Sequence, residues 1–173
     1  MKNIYKLILL LSIIFISDIN INAQVYSPPV YTNYSGYNTA IGFRFGGATS
    51  GITGKQFISP STNLEGILSF SPASFLITGL YEVNSNINGD PGFNFVYGIG
   101  GHVGFFGDDG RYYVYPERRY NNVSVLGVDF ILGLDYKFRN APINIGIDIK
   151  PFVDFYSGTG LFMDAAISVR FAF

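Results

Sequence analysis

Charged residues recur at every second position in several stretches of this chain, and its single histidine follows the same spacing. Asp129 and Asp135 stand between Val128, Phe130, Leu134 and Tyr136, and Lys137 follows in step. Asp148, Lys150 and Asp154 alternate with Ile147, Ile149 and Val153, Asp164 and Arg170 with Met163, Val169 and Phe171, and Arg44 stands between Phe43 and Phe45. Lys55, Glu65 and Glu82 mark further polar positions. In a strand this spacing sends every charge to one face. Such a face can serve as a selectivity or proton path, or as a cross-linked polar core. Charges in a narrow, poorly hydrated interior are costly unless paired. Five cations (Arg44, Lys55, Lys137, Lys150, Arg170) nearly balance seven carboxylates (Glu65, Glu82, Asp129, Asp135, Asp148, Asp154, Asp164), so a mixed-sign ion-pair network is expected. His102 on the same face would need a Ser nucleophile and an acid to act in acyl transfer. The sequence offers it no adjacent partner, so it reads as a hydrogen-bonded interior residue.

A second cluster is Arg111, Tyr112, Tyr113, Tyr115, Arg118, Arg119 and Tyr120, with Asp108, Asp109 and Glu117 between them. Tyr with Arg is a composition favoured at contact surfaces, and loops on rigid scaffolds often carry recognition. Segment 106–122 is therefore the candidate contact loop for an extracellular ligand. Gly100 and Gly101 have no strand–loop–helix context and do not make a phosphate loop.

Eight alternating segments position these residues, near 39–48, 51–59, 62–71, 74–85, 92–105, 123–138, 142–156 and 160–173. No amphipathic helix separates them, which excludes βαβ units. Leu126, Val128, Phe130, Leu132, Leu134, Tyr136 and Phe138 oppose Gly127, Asp129, Ile131, Gly133, Asp135 and Lys137. Segments two to four are less clean, because Phe57, Ile67 and Leu80 share the polar face with Lys55, Glu65 and Glu82. The turn 84–91 is long for a connection on the side of the termini.

The chain has 173 residues, 13% charged and 17% aromatic, with a net charge of −1. It lacks the basic stripe that nucleic-acid binding needs. With no Cys there is no disulfide or thiolate site. Lys2 and Lys6 precede the apolar run from Leu7 to Ile16, and Asp18 and Asn20 end it, in the order of a secretory signal peptide over residues 1–23. Cleavage after Ala23 leaves Gln24 first. Residues 24–38, uncharged and rich in Tyr, Pro, Ser and Asn, read as an irregular lead-in to a barrel over 39–173.

Alternation alone does not say which face meets solvent. The polar face is crowded with Gly and poor in the Lys and Glu that keep soluble sheets apart. Small residues do suit the interior of an eight-stranded barrel. The apolar face is large, carries aromatics towards strand ends, and segments of about 9–11 residues cross a bilayer when tilted. The fold class expected is all-β, an eight-stranded antiparallel up-and-down transmembrane β-barrel.

The signal peptide, the short alternating strands and the closing Ala165, Ile167, Val169, Phe171 and Phe173 resemble the small eight-stranded outer-membrane β-barrels of Gram-negative bacteria, the OmpA/OmpX-like class. The resemblance implies an outer-membrane location, contact with outer-membrane lipids, and use of those five terminal-strand residues as the signal read by the barrel assembly machinery. It does not choose among that class's roles. The reading favoured is a non-enzymatic structural or surface-interaction protein with a lumen plugged by charged and small side chains. A narrow channel for small solutes is the alternative, and a lipid-modifying enzyme the third. No catalytic, cofactor-binding or metal residue is assigned, and no cofactor is expected.

Overall fold

A sheet of alternating strands exposes two unpaired edges unless it closes on itself. In the computed structural model, which describes residues 35–173 apart from 88, 91, 113, 116 and 156–159, it closes. The strands are β1 (Thr39–Gly46), β2 (Ser50–Ser59), β3 (Thr62–Ser71), β4 (Ser74–Asn86), β5 (Phe93–Phe106), β6 (Val123–Lys137), β7 (Ile143–Asp154) and β8 (Gly160–Ala172). Each pairs antiparallel with its chain neighbours, and β1 pairs with β8 from Ala40↔Ala172 to Gly46↔Ala166, giving an up-and-down closed barrel. The signal peptide read over 1–23, and residues 24–34 of the lead-in, lie outside the described residues.

The expected strands match those observed closely, with the largest differences at the ends of β1 and β7, which stop at Gly46 and Asp154. The long turn has a structural explanation. β4 runs on to Asn86, paired with Asn94, so only residues 87–92 turn. Asn86 Nδ2 donates to the Asp90 carbonyl at 2.7 Å, and Arg139 reaches the Asp90 carboxylate at 2.6 Å. Gly92 adopts φ 109°, and a Cβ there would stand 2.6 Å from the Lys137 carbonyl oxygen, so the turn requires glycine at this point.

The two faces of the wall are inverted relative to a water-soluble sheet. β8 alternates strictly, with Leu161, Met163, Ala165, Ile167, Val169 and Phe171 outward and Phe162, Asp164, Ser168 and Arg170 inward. Phe43, Phe45, Leu126, Phe130 and Ile147 are outward and exposed on other strands. Inside, apolar and charged layers alternate. Ala48, Leu76, Phe106, Tyr112, Tyr120, Val125, Phe152 and Phe162 pack at the end of the barrel bearing the long loop. Ile67, Leu80 and Ile131 form a small cluster at mid-depth, while Tyr37, Ala40, Phe57 and Ala172 close the end bearing the termini. Phe57, Ile67 and Leu80, which blurred the alternation in sequence, thus fill the lumen.

Candidate functional site

The inward positions of all eight strands converge on one lumen, and the charges there sort into three groups. At mid-depth, Lys55 Nζ lies 2.9 Å from Glu82, 3.5 Å from Asp135 and 3.6 Å from Glu65. Arg170 reaches Glu65 at 2.5 Å and the Asn144 side-chain oxygen at 3.1 Å. The Thr53 hydroxyl also donates to Glu65. Asn63 donates to Glu82 at 2.8 Å, and Asn144 to Asp135 at 2.5 Å.

Towards the long-loop end, the Arg44 guanidinium holds Asp148 through two bonds, at 2.5 and 2.8 Å. Its second nitrogen also approaches Asp164 at 3.4 Å. Asp164 accepts from the Ala48 amide at 2.8 Å, the Thr49 amide at 3.1 Å, and the Thr49 hydroxyl. One carboxylate from β8 thereby folds the β1–β2 connection inward over the lumen.

His102 forms the third group. Its Nδ1 lies 2.7 Å from Asp129 and its Nε2 3.0 Å from Asp154, an arrangement that a doubly protonated ring satisfies. Lys150 completes the set on Asp129 at 2.6 Å and lies 4.5 Å from the Phe152 ring centroid. The adjacent strand makes room through Gly127, paired with His102 in the β5–β6 ladder, where a Cβ would stand 2.2 Å from the His102 ring. The imidazole is therefore a bridge between two aspartates, held on both nitrogens.

Lys137 does not join these groups. Its Nζ donates to the Phe138 and Ala141 carbonyls at 2.6 and 2.8 Å. At the last residue of β6 the side chain bonds to these two turn carbonyls and so caps the β6–β7 turn. Asp154, in contrast, belongs to the lumen.

The long loop also differs from its expected role. Tyr112 and Tyr120 are buried, at 0% and 7% exposure, and both hydroxyls donate to Asp154 Oδ2, at 3.3 and 3.1 Å. Their rings pack on Phe106, with centroids 5.3 and 4.4 Å away, and Tyr112 also meets Phe152 and Phe162. These two tyrosines are a stopper in the barrel mouth. Tyr115 stays partly exposed at the rim, its hydroxyl accepting from the Met163 amide and donating to the Met163 carbonyl. The Gly110↔Tyr120 bridge and the Arg111 amide bonded to the Pro72 carbonyl fix the loop further.

Arg118 lies over the Phe162 ring at 5.1 Å, and Arg111 and Arg119 share Asp109 at 2.8 and 2.7 Å. These arginines and Glu117 form the outer surface of the loop; Tyr113 lies outside the described residues.

The other mouth has a stopper that the sequence reading did not anticipate. Tyr37, from the lead-in, packs edge-on against Phe57 at 5.2 Å and donates to Asp135 at 3.3 Å. The only advance signal was a tyrosine two residues before a strand, which is ambiguous by itself. Burial, reinforced by the neighbouring carboxylates, pushes the Tyr37, Tyr112 and Tyr120 phenols above their ordinary range. In the unfolded chain the phenols ionise near pH 10. A raised folded value therefore gives stability that is full below about pH 10 and is lost as pH rises beyond it. The urea midpoint of the folded protein is expected to fall between about pH 10 and 12, and less steeply in Tyr112→Phe. Equal slopes in the two proteins would refute this.

What this arrangement does chemically is pair buried charges of both signs across the strands. The lumen cavity lined by Lys55, Glu65, Asp135, Asp148 and Arg170 measures about 10 Å³, room for about one water. Among the described residues, no group of three or more His, Asp and Glu side chains is placed to hold a metal ion. The five terminal-strand residues, Ala165, Ile167, Val169, Phe171 and Phe173, all point outward. Comparisons of the chain with protein-family models, with curated proteins and with solved structures give no match.

Proposed function

We propose that this chain is an integral outer-membrane β-barrel with a closed lumen, serving a structural or surface-interaction role rather than catalysis or transport. The observation that carries the reading is the inversion of the barrel wall. Phe43, Phe45, Leu126, Phe130, Ile147 and Phe171 are 47–62% exposed, whereas Arg44, Lys55, Glu82, Asp129, Lys150 and Asp164 are at most 4% exposed. Water outside this wall would face a continuous apolar belt far larger than the few hundred Å² that soluble proteins usually leave bare. Lipid outside it removes the conflict, and closure leaves no backbone edge unpaired in the hydrocarbon.

The stoppers at both mouths and the water-sized lumen cavity support a non-conducting barrel over a narrow channel. Its partners are outer-membrane lipids around the belt and the barrel assembly machinery during insertion. An extracellular ligand would meet the exposed residues of the long loop, Glu117, Arg118 and Arg119 among them.

Membrane fractionation with alkaline carbonate, followed by gels of boiled and unboiled samples, tests the location and the barrel together. The protein is expected in the carbonate-resistant pellet with a heat-dependent mobility shift. A carbonate-soluble protein with no shift would overturn the reading, and steady conductance steps in planar bilayers would overturn the closed lumen.

Terminal-strand recognition makes a separate prediction. Phe171→Ser with Phe173→Ser should reduce the outer-membrane level several-fold more than Phe43→Ser with Phe45→Ser, which removes as many outward aromatics from β1. Equal levels of the two double variants would contradict a special role for β8. His102→Ala is a poor control here, since it strands Asp129 and Asp154.

A further inference from the structure

Half of the ion pairs among the described lumen residues are tight, at 2.5–2.9 Å, and Arg44–Asp164 and His102–Asp154 follow at 3.4 and 3.0 Å. Three are longer: Lys55 to Glu65 at 3.6 Å, Lys55 to Asp135 at 3.5 Å, and Arg170 to Asp135 at 3.6 Å. All four of these residues border the same cavity of about 10 Å³. Apart from the neighbouring Glu82 carboxyl, which stands within hydrogen-bond reach of Glu65, no protein group donates to Glu65 Oε2 or Asp135 Oδ1, the two carboxylate oxygens at the ends of the long contacts. Both residues are buried, so bulk solvent does not satisfy them. Polar contacts slightly beyond bonding distance around a water-sized space have a common cause, a water beside the partners that bonds to each.

We infer that this cavity is a binding site for one structural water. The water donates its two hydrogens to Glu65 Oε2 and Asp135 Oδ1, and its oxygen accepts from the Lys55 ammonium. Two acceptors and one donor give it three partners, the usual number for a buried water. An ammonium-sized cation fits the charge surplus of the carboxylates less well, because Lys55 already presents a positive group to the same space. The site also borders Asp148, the partner of Arg44. Solvent thereby fills the gap between the Lys55 and Arg44 groups, which share no direct ion pair among those described.

Gly146 lines the cavity, and a Cβ there would lie 3.1 Å from Arg170 Nη1 and 3.4 Å from Asp135 Oδ1. A methyl group at this point takes the water's space. Gly79 faces outward, with nothing within 4 Å of its Cβ position, and serves as the control. In the full-length refolded protein in micelles, NMR cross-relaxation should show a long-lived water at the Gly146 amide of the wild type. In the Gly146→Ala variant the backbone amide at the same position should lose that signal, and the urea midpoint should fall below that of Gly79→Ala. A dry cavity predicts no long-lived water signal at the Gly146 amide of the wild type. Absence of the wild-type water signal, its persistence in Gly146→Ala, or a Gly146→Ala protein at least as stable as Gly79→Ala would each overturn the inference.

Discussion

Arg170→Ala is expected to destabilise the barrel by about 3–5 kcal/mol, the usual cost of removing one partner from a buried ion pair. Arg170 is 3% exposed and bonds to Glu65 and Asn144, with Asp135 and Thr53 within 3.6 Å. Alanine leaves Glu65 and Asp135 with Lys55 as their remaining cation, and Lys55 is already closest to Glu82. Removing the charge and its main partner together, as Arg170→Met with Glu65→Met, should cost less than Arg170→Ala alone. The penalty comes from stranded charge more than from lost attraction. Urea unfolding of the refolded protein in micelles measures both. A loss below about 1 kcal/mol for Arg170→Ala, the range of an exposed pair, would mean that water reaches these groups freely and that the lumen is not sealed.

Leu132→Arg is the second large effect, and its size depends on what surrounds the wall. Leu132 is 44% exposed near the middle of β6, between the outward Phe130 and Leu134. In a bilayer, an arginine on the lipid face near mid-depth costs about 2–4 kcal/mol. In water, the same exposed substitution usually changes stability by no more than about 0.5 kcal/mol. Unfolding from lipid vesicles is expected to show the larger loss. A neutral result would remove lipid from the outer face and, with it, the membrane assignment.

The strands were legible because one rule, alternate residues to alternate faces, governs a wall of β-structure throughout its length. It fails where the face is mixed for packing reasons. Phe57, Ile67 and Leu80 sit among lumen charges because ion pairs alone do not fill the space between eight strands. Lys137 obeys the alternation but stands where the strand stops, and there the nearest turn carbonyls decide its partner. The charge network was legible as a set, since buried charges of both signs must pair. Which charge meets which was not, because Arg44 and Asp148 are 104 positions apart and meet only after the barrel closes.

Tyr112 and Tyr120 were misassigned for a related reason. Tyr has one apolar and one polar end, which suits a contact surface and a stopper equally. Only the position of Asp154, 34 positions beyond Tyr120 and 42 beyond Tyr112, distinguishes the two uses.

That separation has a consequence for the order of assembly. Asp154 and Phe152 lie in β7, and Phe162 and Met163 in β8, all later in the chain than the loop that packs on them. During synthesis, Tyr112 and Tyr120 have Phe106 beside them but lack Asp154 and Phe152 until the last hairpin arrives. The seating of the stopper records completion: a barrel lacking its final two strands presents bare phenols at its mouth, and a finished one hides them.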